Sequence, residues 1–288
     1  MPRNFQIGEL PNYKLIFMSY NLLKGKRGII FGALNELSIA WKTAERCHEE
    51  GAELVLTNAP VALRFGEINE LSAKLNAPVI PADVTSMDDL RNLFTKSVEH
   101  FGGPVDFVLH SVGMSMNVRK GNPYTQLSHE LEYKTLDISA LSLHRVCQVA
   151  YEMDAISEWG SIVGLTYIAA QRVFPNYNEM ADAKALLESI ARSFGYYYGK
   201  KKKVRVNTIS QSPTRTTAGN GIKGIEGFLT YAEKMSPLGN ADANDCANYC
   251  VTMFSDLTRM VTMQNLFHDG GFSYTGVSQD IIDMLEKK

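Results

Sequence analysis

The chain has 288 residues, of which 45% are hydrophobic and 21% charged, and its formal net charge at pH 7 is −2. These values are typical of one large or two small globular domains and exclude a disordered or fibrous chain. The near-neutral charge gives no basic field, and the N-terminus has no apolar run of signal-peptide or membrane-helix length. We therefore expect neither nucleic acid nor a membrane as a partner.

The first 17 residues show no helical or strand period and precede a second methionine, Met18. We interpret residues 1–22 as an N-terminal tail that is dispensable at least up to Met18, and residues 23–288 as the folded domain. No Pro/Gly-rich linker, low-complexity tract or fixed repeat divides that domain.

From Arg27 onward, short apolar runs alternate with longer amphipathic stretches, which is the pattern of βα units. Seven runs predict buried strands: Gly28–Phe31, Leu54–Thr57, Val79–Pro81, Val105–His110, Ser161–Leu165, Val204–Ile209 and Gln264–His268. The stretches that predict helices include Ser38–Glu50, Val61–Leu75, Ser86–Phe101, Tyr177–Tyr198 and Ala243–Phe254. We expect an α/β protein: a single Rossmann-like, doubly wound domain with a seven-stranded parallel sheet flanked by helices.

The first strand-to-helix turn predicts a phosphate-binding site. Gly32 lets the chain turn sharply, and the free N–H groups of the helix that begins near Ser38 attract anions. Gly32 is the only glycine of the turn, so the GxGxxG motif is absent and a plain strand-to-helix turn is the alternative.

The four cysteines, Cys47, Cys147, Cys246 and Cys250, form no CxxC motif and lie in apolar or helical stretches. We expect reduced core residues and a cytoplasmic protein. Cys246 and Cys250 are one helical turn apart, but no histidine or third cysteine accompanies them, so no metal site is predicted.

Two tyrosines and a lysine, Tyr167, Tyr177 and Lys184, stand out in the second half of the chain. If a helix begins near Pro175, Tyr177 and Lys184 lie two turns apart on one face, about 10 Å along its axis. A bound cofactor can bridge that distance. Tyrosines on a helix are otherwise more often core or interface residues.

These motifs resemble the NAD(P)H-dependent enoyl-acyl carrier protein reductases of bacterial type II fatty-acid synthesis, a divergent branch of the short-chain dehydrogenases. The resemblance rests on Gly32 followed by Ser38 and Ala40, and on tyrosine–six residues–lysine with a tyrosine ten residues upstream. Ordinary short-chain dehydrogenases place lysine four residues after the tyrosine and serine about thirteen before it; Ala181 and Gly164 stand there instead. The similarity extends from about Leu23 to Ser273.

The resemblance implies catalytic roles for Tyr167, Tyr177 and Lys184. Tyr177 would donate a hydrogen bond to the enolate oxygen formed during reduction of a trans-2-enoyl thioester, Lys184 would hold the nicotinamide ribose, and Tyr167 would line the acyl pocket. The alternatives are a ketone- or alcohol-acting short-chain dehydrogenase and a non-enzymatic dinucleotide-binding regulator.

The resemblance also implies a set of cofactor contacts. They are Gly32, Leu34, Ser38, Ile39, Asp83, Val84, Ser111, Val112, Gly113, Lys184, Pro213 and Thr216. Asp83 is alternatively only a helix cap, and Gly113 only a turn residue. The second strand ends in Thr57-Asn58-Ala59-Pro60, with neither an acid for a ribose nor a basic pair for a 2′-phosphate, and we predict NADH rather than NADPH.

Residues 211–235 resemble the family's substrate-binding loop, with Gln211 and Ser212 replacing its usual Ala-Gly. Gly219 and Gly221 suit a mobile lid. Three nearby cations, Arg215, Lys223 and Lys234, are candidates for receiving an acidic acyl carrier protein, although scattered surface cations are the alternative. The Asp269-Gly270-Gly271 turn also matches the family, which implies a homotetramer.

Overall fold

The computed structural model describes residues 19–217, 219 and 224–286. Its centre is a parallel sheet of six strands in the order β2-β1-β3-β4-β5-β6. The strands are β1 Arg27–Phe31, β2 Glu53–Thr57, β3 Val105–His110, β4 Ile156–Thr166, β5 Arg205–Gln211 and β6 Asn265–His268. Because the strand order reverses between β1 and β3, a crevice opens at the carboxyl ends of these strands, where doubly wound folds bind ligands.

The prediction of a seventh strand at Val79–Pro81 is wrong. This run lies beside β2 but forms one isolated bridge, between Leu56 and Val79. Leu56 N donates to Pro78 O, and Ile80 N donates to Leu56 O, both at 2.9 Å. Prolines at 78 and 81 bound the run, and because neither has an N–H to donate, they limit its pairing.

Ten α-helices flank the sheet in the described part of the chain. They are α1 Ile39–Glu49, α2 Glu67–Leu75, α3 Met87–Phe101, α4 Met116–Lys120, α5 His129–Leu136, α6 Ser142–Glu152, α7 Glu179–Lys202, α8 Ile225–Met235, α9 Ala243–Phe254 and α10 Gln279–Glu286. None of these helices is both long enough and apolar enough to cross a membrane.

Two predicted helices have different bounds in the structure. The stretch Val61–Leu75 is broken at Gly66, whose φ of 78° ends a short 3₁₀ turn before α2 begins. The helix predicted from Tyr177 begins only at Glu179, because Asn176 and Asn178 have φ angles of 69° and 46°. Left-handed residues interrupt a helix, so Tyr177 lies in the turn before α7 rather than on it.

The core has two layers, one on each face of the sheet. Neighbouring strand residues alternate between them: Ile29 packs with α3, α6 and α7 residues, whereas Ile30 packs with α1 and α9 residues. All four cysteines are free and buried in these layers, which confirms them as core residues.

A buried glutamate, Glu50, binds the backbone of the first described residues. The backbone N–H groups of Tyr20 and Leu22 both donate to Glu50 Oε2 at 3.0 Å, and Leu23 is fully buried. Residues 1–18 lie outside the described residues.

Truncation to Met18 keeps each of these contacts, so we expect the melting temperature and the turnover number to match those of the full chain. Thermal unfolding and steady-state kinetics of both proteins check this. A large loss of activity would show that the tail is functional.

Candidate active site

A cavity of about 600 Å³ opens at the carboxyl ends of the central strands. Each predicted catalytic and cofactor-binding residue contributes to its wall. These residues are Gly32, Leu34, Ser38, Ile39, Asp83, Val84, Ser111, Val112, Gly113, Tyr167, Tyr177, Lys184, Pro213 and Thr216. The structure therefore brings the predicted set together, whereas the individual roles stay predictions.

The turn after β1 is shaped for a close approach of two chain segments. Gly32 has a φ of 93°, and a Cβ atom there would lie 2.0 Å from the carbonyl oxygen of Ser111. Only glycine fits, because any side chain would collide with the backbone after β3.

Ser38 organises the start of α1 behind that turn. Its Oγ donates to Asn35 O at 2.7 Å and accepts from the backbone N–H groups of Leu34 and Trp41, both at 3.3 Å. These bonds cap the helix, whose positive end faces the cavity through Ser38 and Ile39. The arrangement suits an anionic group such as a pyrophosphate.

Asp83 does not cap the following helix, since Ser86 accepts from Asp89 N and is the N-cap of α3. Asp83 Oδ1 instead accepts from the backbone N and the Oγ1 of Thr85, at 2.8 and 2.7 Å. The alternative reading of Asp83 as a helix cap is therefore wrong.

The wall beyond β2 is uncharged. Asn58, Ala59, Val61 and Ala62 line the cavity there, and Asn58 Nδ2 donates to Ala33 O at 3.0 Å, joining this segment to the Gly32 turn. The sequence does not identify these four as site residues, because their residue types belong to no binding motif.

Tyr167 and Tyr177 meet in the cavity although they come from different segments. Tyr167 directly follows β4, and the ring centroids of the two tyrosines are 5.3 Å apart with an interplanar angle of 61°. The turn that carries Tyr177 is fixed by Asn178, whose Nδ2 donates to Asn122 O at 2.6 Å. Both half-buried phenol groups thus face one space.

Lys184 reaches the same space from α7. Its Nζ donates to Leu165 O at 2.8 Å and lies 3.9 Å from the position of a Cβ atom on Gly113. The ammonium group therefore lies between the ends of β3 and β4, where the family resemblance implies the nicotinamide ribose.

Burial sets the protonation of this trio. It raises the pKa of Tyr167 and the pKa of Tyr177, so both phenols keep their protons and can donate hydrogen bonds at neutral pH. Burial lowers the pKa of Lys184 to about 8, while the negative charge of Glu188 opposes that shift. The site thus offers neutral O–H donors beside a cation to an oxygen that gains negative charge.

An aromatic and aliphatic wall faces the tyrosines. Phe174 lies 5.2 Å from Tyr167 and 6.0 Å from Phe228, measured between ring centroids. Further apolar side chains that line the cavity include Met114, Val118, Ile138, Met180 and Ile225. The sequence motifs do not include these apolar residues, although the spacing of Ile225 and Phe228 predicts one apolar face on α8.

The base of the predicted substrate loop is anchored by the two residues that depart from the family pattern. Gln211 Nε2 donates to Ala241 O at 3.0 Å, and Gln211 Oε1 lies 2.6 Å from His268 Nδ1. Ser212 Oγ accepts from Ala241 N at 3.1 Å. Residues Gly221 and Lys223, predicted as a lid glycine and a docking cation, lie outside the described residues.

A fully buried histidine, His110, lies at the end of β3, and no sequence motif gives it a role. His110 Nε2 is 2.8 Å from Ser142 Oγ, which itself donates to Ile138 O at 2.6 Å, so the ring donates to the serine. Burial and the nearby charge of Lys184 lower the pKa of His110 from its ordinary 6.5 to about 3. The neutral ring thus ties β3 to α6 below the cavity.

We expect His110 to make the protein acid-sensitive. The unfolded chain binds a proton at this residue below pH 6.5 whereas the folded state does so only near pH 3, so stability falls as pH decreases between these values. In His110→Asn, the dependence of the unfolding free energy on pH should become shallower by about 1.4 kcal/mol per pH unit in this range. Urea titrations at several pH values measure it; His129→Asn, at an exposed position, is the control, and an equal effect of both would contradict the assignment.

Known proteins resemble this chain over nearly its whole length. A family model described as enoyl-(acyl carrier protein) reductase matches residues 32–273. An enoyl-(acyl-carrier-protein) reductase (NADH) 2 of Rhizobium meliloti (strain 1021) is 34% identical over 258 residues, covering 89% of this chain and 94% of that protein. The Bacillus subtilis (strain 168) enoyl-(acyl-carrier-protein) reductase (NADH) FabI is 32% identical, covering 88% and 98%.

Solved structures agree with this match. The crystal structure of the FabI–NADH complex from Alistipes finegoldii has a TM-score of 0.90 and 65% sequence identity, covering 91% of this chain and 92% of that chain. The NADH enoyl-(acyl-carrier-protein) reductase of Aquifex aeolicus VF5 has a TM-score of 0.82 and 32% identity, covering 89% and 99%. With its fold, its cavity and these relatives, the chain belongs to the enoyl-acyl carrier protein reductase family.

Proposed function

We propose that this protein reduces the trans-2 double bond of an enoyl thioester carried on acyl carrier protein, with NADH as the hydride donor. The observation that carries the proposal is that one cavity joins a capped helix N-terminus to Tyr177, Lys184 and an apolar wall. A helix end suits a dinucleotide phosphate, and the apolar wall suits an acyl chain.

The residues of this chain fit the dinucleotide. Gly32, which has no room for a side chain beside Ser111 O, lies in the turn that leads to the N-terminus of α1, and a helix N-terminus suits a pyrophosphate. In the proposed complex, Gly32 and Leu34 would contact the cofactor, and Ser38 and Ile39 would hydrogen-bond to or pack on its pyrophosphate. Asp83 and Val84 contact the adenine in this arrangement.

The nicotinamide side is held by the segment after β3 and by the substrate loop. Ser111, Val112 and Gly113 would lie along the adenosine ribose and the nicotinamide side, and Lys184 would bind the hydroxyl groups of the nicotinamide ribose. From the loop, Pro213 would contact the cofactor and Thr216 would reach its phosphates. NADH supplies the hydride when bound, and the uncharged wall beyond β2 favours it over NADPH; a strong kinetic preference for NADPH would contradict this assignment.

Tyr177 and Lys184 stabilise the charge that develops during reduction. Hydride addition to the β-carbon moves negative charge onto the thioester oxygen, and the Tyr177 O–H donates a hydrogen bond to that oxygen. This bond is stronger in the transition state than in the ground state, so it accelerates the reaction. The Lys184 charge stabilises the same oxygen from the ribose side, and Tyr167 and Phe174 enclose the acyl chain.

Comparing kcat/KM for a 2-enoyl thioester and a 3-oxoacyl thioester of equal chain length tests the proposal. The loss of reduced-nicotinamide absorbance reports both reactions. We expect turnover of the enoyl substrate only, since Gly164 and Ala181 replace the serine and lysine of ketone-reducing relatives. Preferred reduction of the 3-oxo substrate would favour the alternative, and no turnover of either would favour a binding protein.

The carrier protein docks, in this proposal, beside the substrate loop. Exposed Arg215 forms an ion pair with Glu226, with Nη2 at 2.7 Å from Oε2, so much of its charge is already compensated. Lys234, at the end of α8, is the other described candidate.

We expect Lys234→Glu to raise KM for a carrier-linked substrate about threefold to tenfold, because a rim charge mainly steers association, and to leave KM for a coenzyme A thioester unchanged. Lys96→Glu, the same reversal at an exposed position of α3, is the control. Equal effects of Lys234→Glu on both substrates would contradict docking here.

Two further properties complete the proposal. We infer a homotetramer, supported by the family resemblance and by Tyr196 and Tyr197 of α7, which are 54% and 61% exposed and suit an interface. Sedimentation analysis tests it. We place the reaction in the cytoplasm, supported by four reduced, buried cysteines.

A further inference from the structure

Glu188 is a buried carboxylate next to the proposed catalytic trio. It lies on α7 one helical turn after Lys184, and only 5% of its surface is exposed. Burying a carboxylate is costly unless hydrogen bonds and opposite charge compensate it. Its partners therefore indicate what this charge does in the fold.

Three side chains donate hydrogen bonds to this carboxylate. Thr166 Oγ1 and Asn265 Nδ2 donate to Oε1 at 2.9 and 3.1 Å. Gln171 Nε2 donates to Oε2 at 3.2 Å. Both carboxylate oxygens are thus occupied by donors from three separate segments.

Two of these donors lie on either side of Tyr167. Thr166 is the last residue of β4 and immediately precedes it, and Gln171 follows the short 3₁₀ turn Ile168–Ala170. Asn265 begins β6 and fixes the carboxylate from the far side. One carboxylate therefore holds both ends of the segment that presents Tyr167 to the cavity.

The same charge acts on Lys184. Glu188, on the same helix, is the charged group whose field favours the protonated form of Lys184. His110, at the end of β3, senses the charge of Lys184 but is neutral at physiological pH. Arg192 and Lys184 both favour the ionised form of Glu188, although burial raises its pKa. The groups that contact the carboxylate from β4, the following turn and β6 are uncharged donors.

We propose that Glu188 is a positioning residue for the reaction, which fixes Tyr167 through Thr166 and Gln171 and keeps a negative charge one helical turn from Lys184. This inference rests on the proposed function. Glu188 itself is not among the described residues that line the cavity.

Glu188→Gln keeps the shape of the side chain but removes the charge and one acceptor oxygen. Tyr167 then loses part of its support, and a small displacement of a reacting group costs much activity, so we expect kcat/KM for the enoyl substrate to fall about tenfold to a hundredfold. Without the opposing charge, Lys184 loses its proton at lower pH. The alkaline limb of the pH profile of kcat/KM should therefore move down by about one pH unit.

Asp182→Asn is the matched control, since it removes a carboxylate from the same helix at a side chain whose partner is Tyr124. We expect its pH profile to match the wild type. A reduced kcat/KM together with a shifted alkaline limb in Glu188→Gln alone supports the proposal. A wild-type pH profile and kcat/KM in Glu188→Gln, measured well below its melting temperature, overturns it.

Glu188→Asp decides the question if the Gln variant does not fold. It keeps the charge but shortens the side chain, so we expect lower turnover with an unshifted alkaline limb; wild-type turnover overturns the proposal. Wild-type activity on the enoyl thioester, measured in the same assay, tests the proposed function separately, so the two failures are distinguishable.

Discussion

Tyr177→Phe is expected to lower kcat for the enoyl thioester by about 10²–10³-fold, the usual effect of removing one hydrogen-bond donor to a developing oxyanion. The substitution removes only the hydroxyl group, so the ring still packs against Tyr167 at the observed 5.3 Å. Cofactor affinity should be nearly unchanged. Steady-state kinetics and equilibrium titration with NADH measure the two quantities.

Tyr133→Phe is the control for this experiment, because Tyr133 is an exposed tyrosine on α5. It should leave kcat unchanged. A mild effect of Tyr177→Phe, or an equal loss of NADH affinity, would mean that Tyr177 supports the fold rather than the charged oxygen.

Lys184→Ala should mainly weaken cofactor binding. The variant loses a partly buried cation that we place on the ribose hydroxyls, and hydrogen bonds to charged groups contribute about 1.5–3 kcal/mol, so Kd for NADH should rise about tenfold to a hundredfold. Fluorescence titration of bound NADH measures this. Lys184→Met keeps most of the apolar part of the side chain. It should raise Kd for NADH as much as Lys184→Ala does, which would show that the lost charge, rather than lost packing, weakens binding.

The pH dependence of binding provides a second test of Lys184. Its pKa is lowered to about 8 by burial, so the lysine is charged below that pH and neutral above it. If the charged form binds the cofactor, Kd of the wild type rises as pH increases through about 8, and Kd of Lys184→Met does not. A parallel rise in both proteins would assign the titration to another group.

Much of the fold follows from local patterns. Apolar runs with few charges predicted six strands that exist, since buried parallel strands need such runs. Val79–Pro81 has the same composition but pairs over a single residue, because its prolines lack N–H groups. The pattern of apolar residues alone does not distinguish a run that pairs as a strand from one that forms a single bridge.

The candidate site was predictable where a residue type is tied to one chemistry or one motif. Gly32 and Lys184 line the cavity as predicted. The position of Tyr177 before α7 was not predicted. Two asparagines with positive φ, one on each side of Tyr177, delay the start of the helix without changing the sequence pattern. The sequence predicted no role for His110 or Glu188. The role of a polar residue within a strand or helix depends on its tertiary partners, which the spacing of residues in the sequence does not show.

Transfer of hydride from NADH to the β-carbon of an enoyl thioester in this cavity is tested most directly by following a labelled hydride. NADH carrying deuterium at the transferable position is incubated with a crotonyl thioester, and the product is analysed by NMR. We predict deuterium at the β-carbon of the saturated thioester, with a solvent-derived hydrogen at the α-carbon. Absence of deuterium from the β-carbon, or an unreduced double bond, would contradict the account.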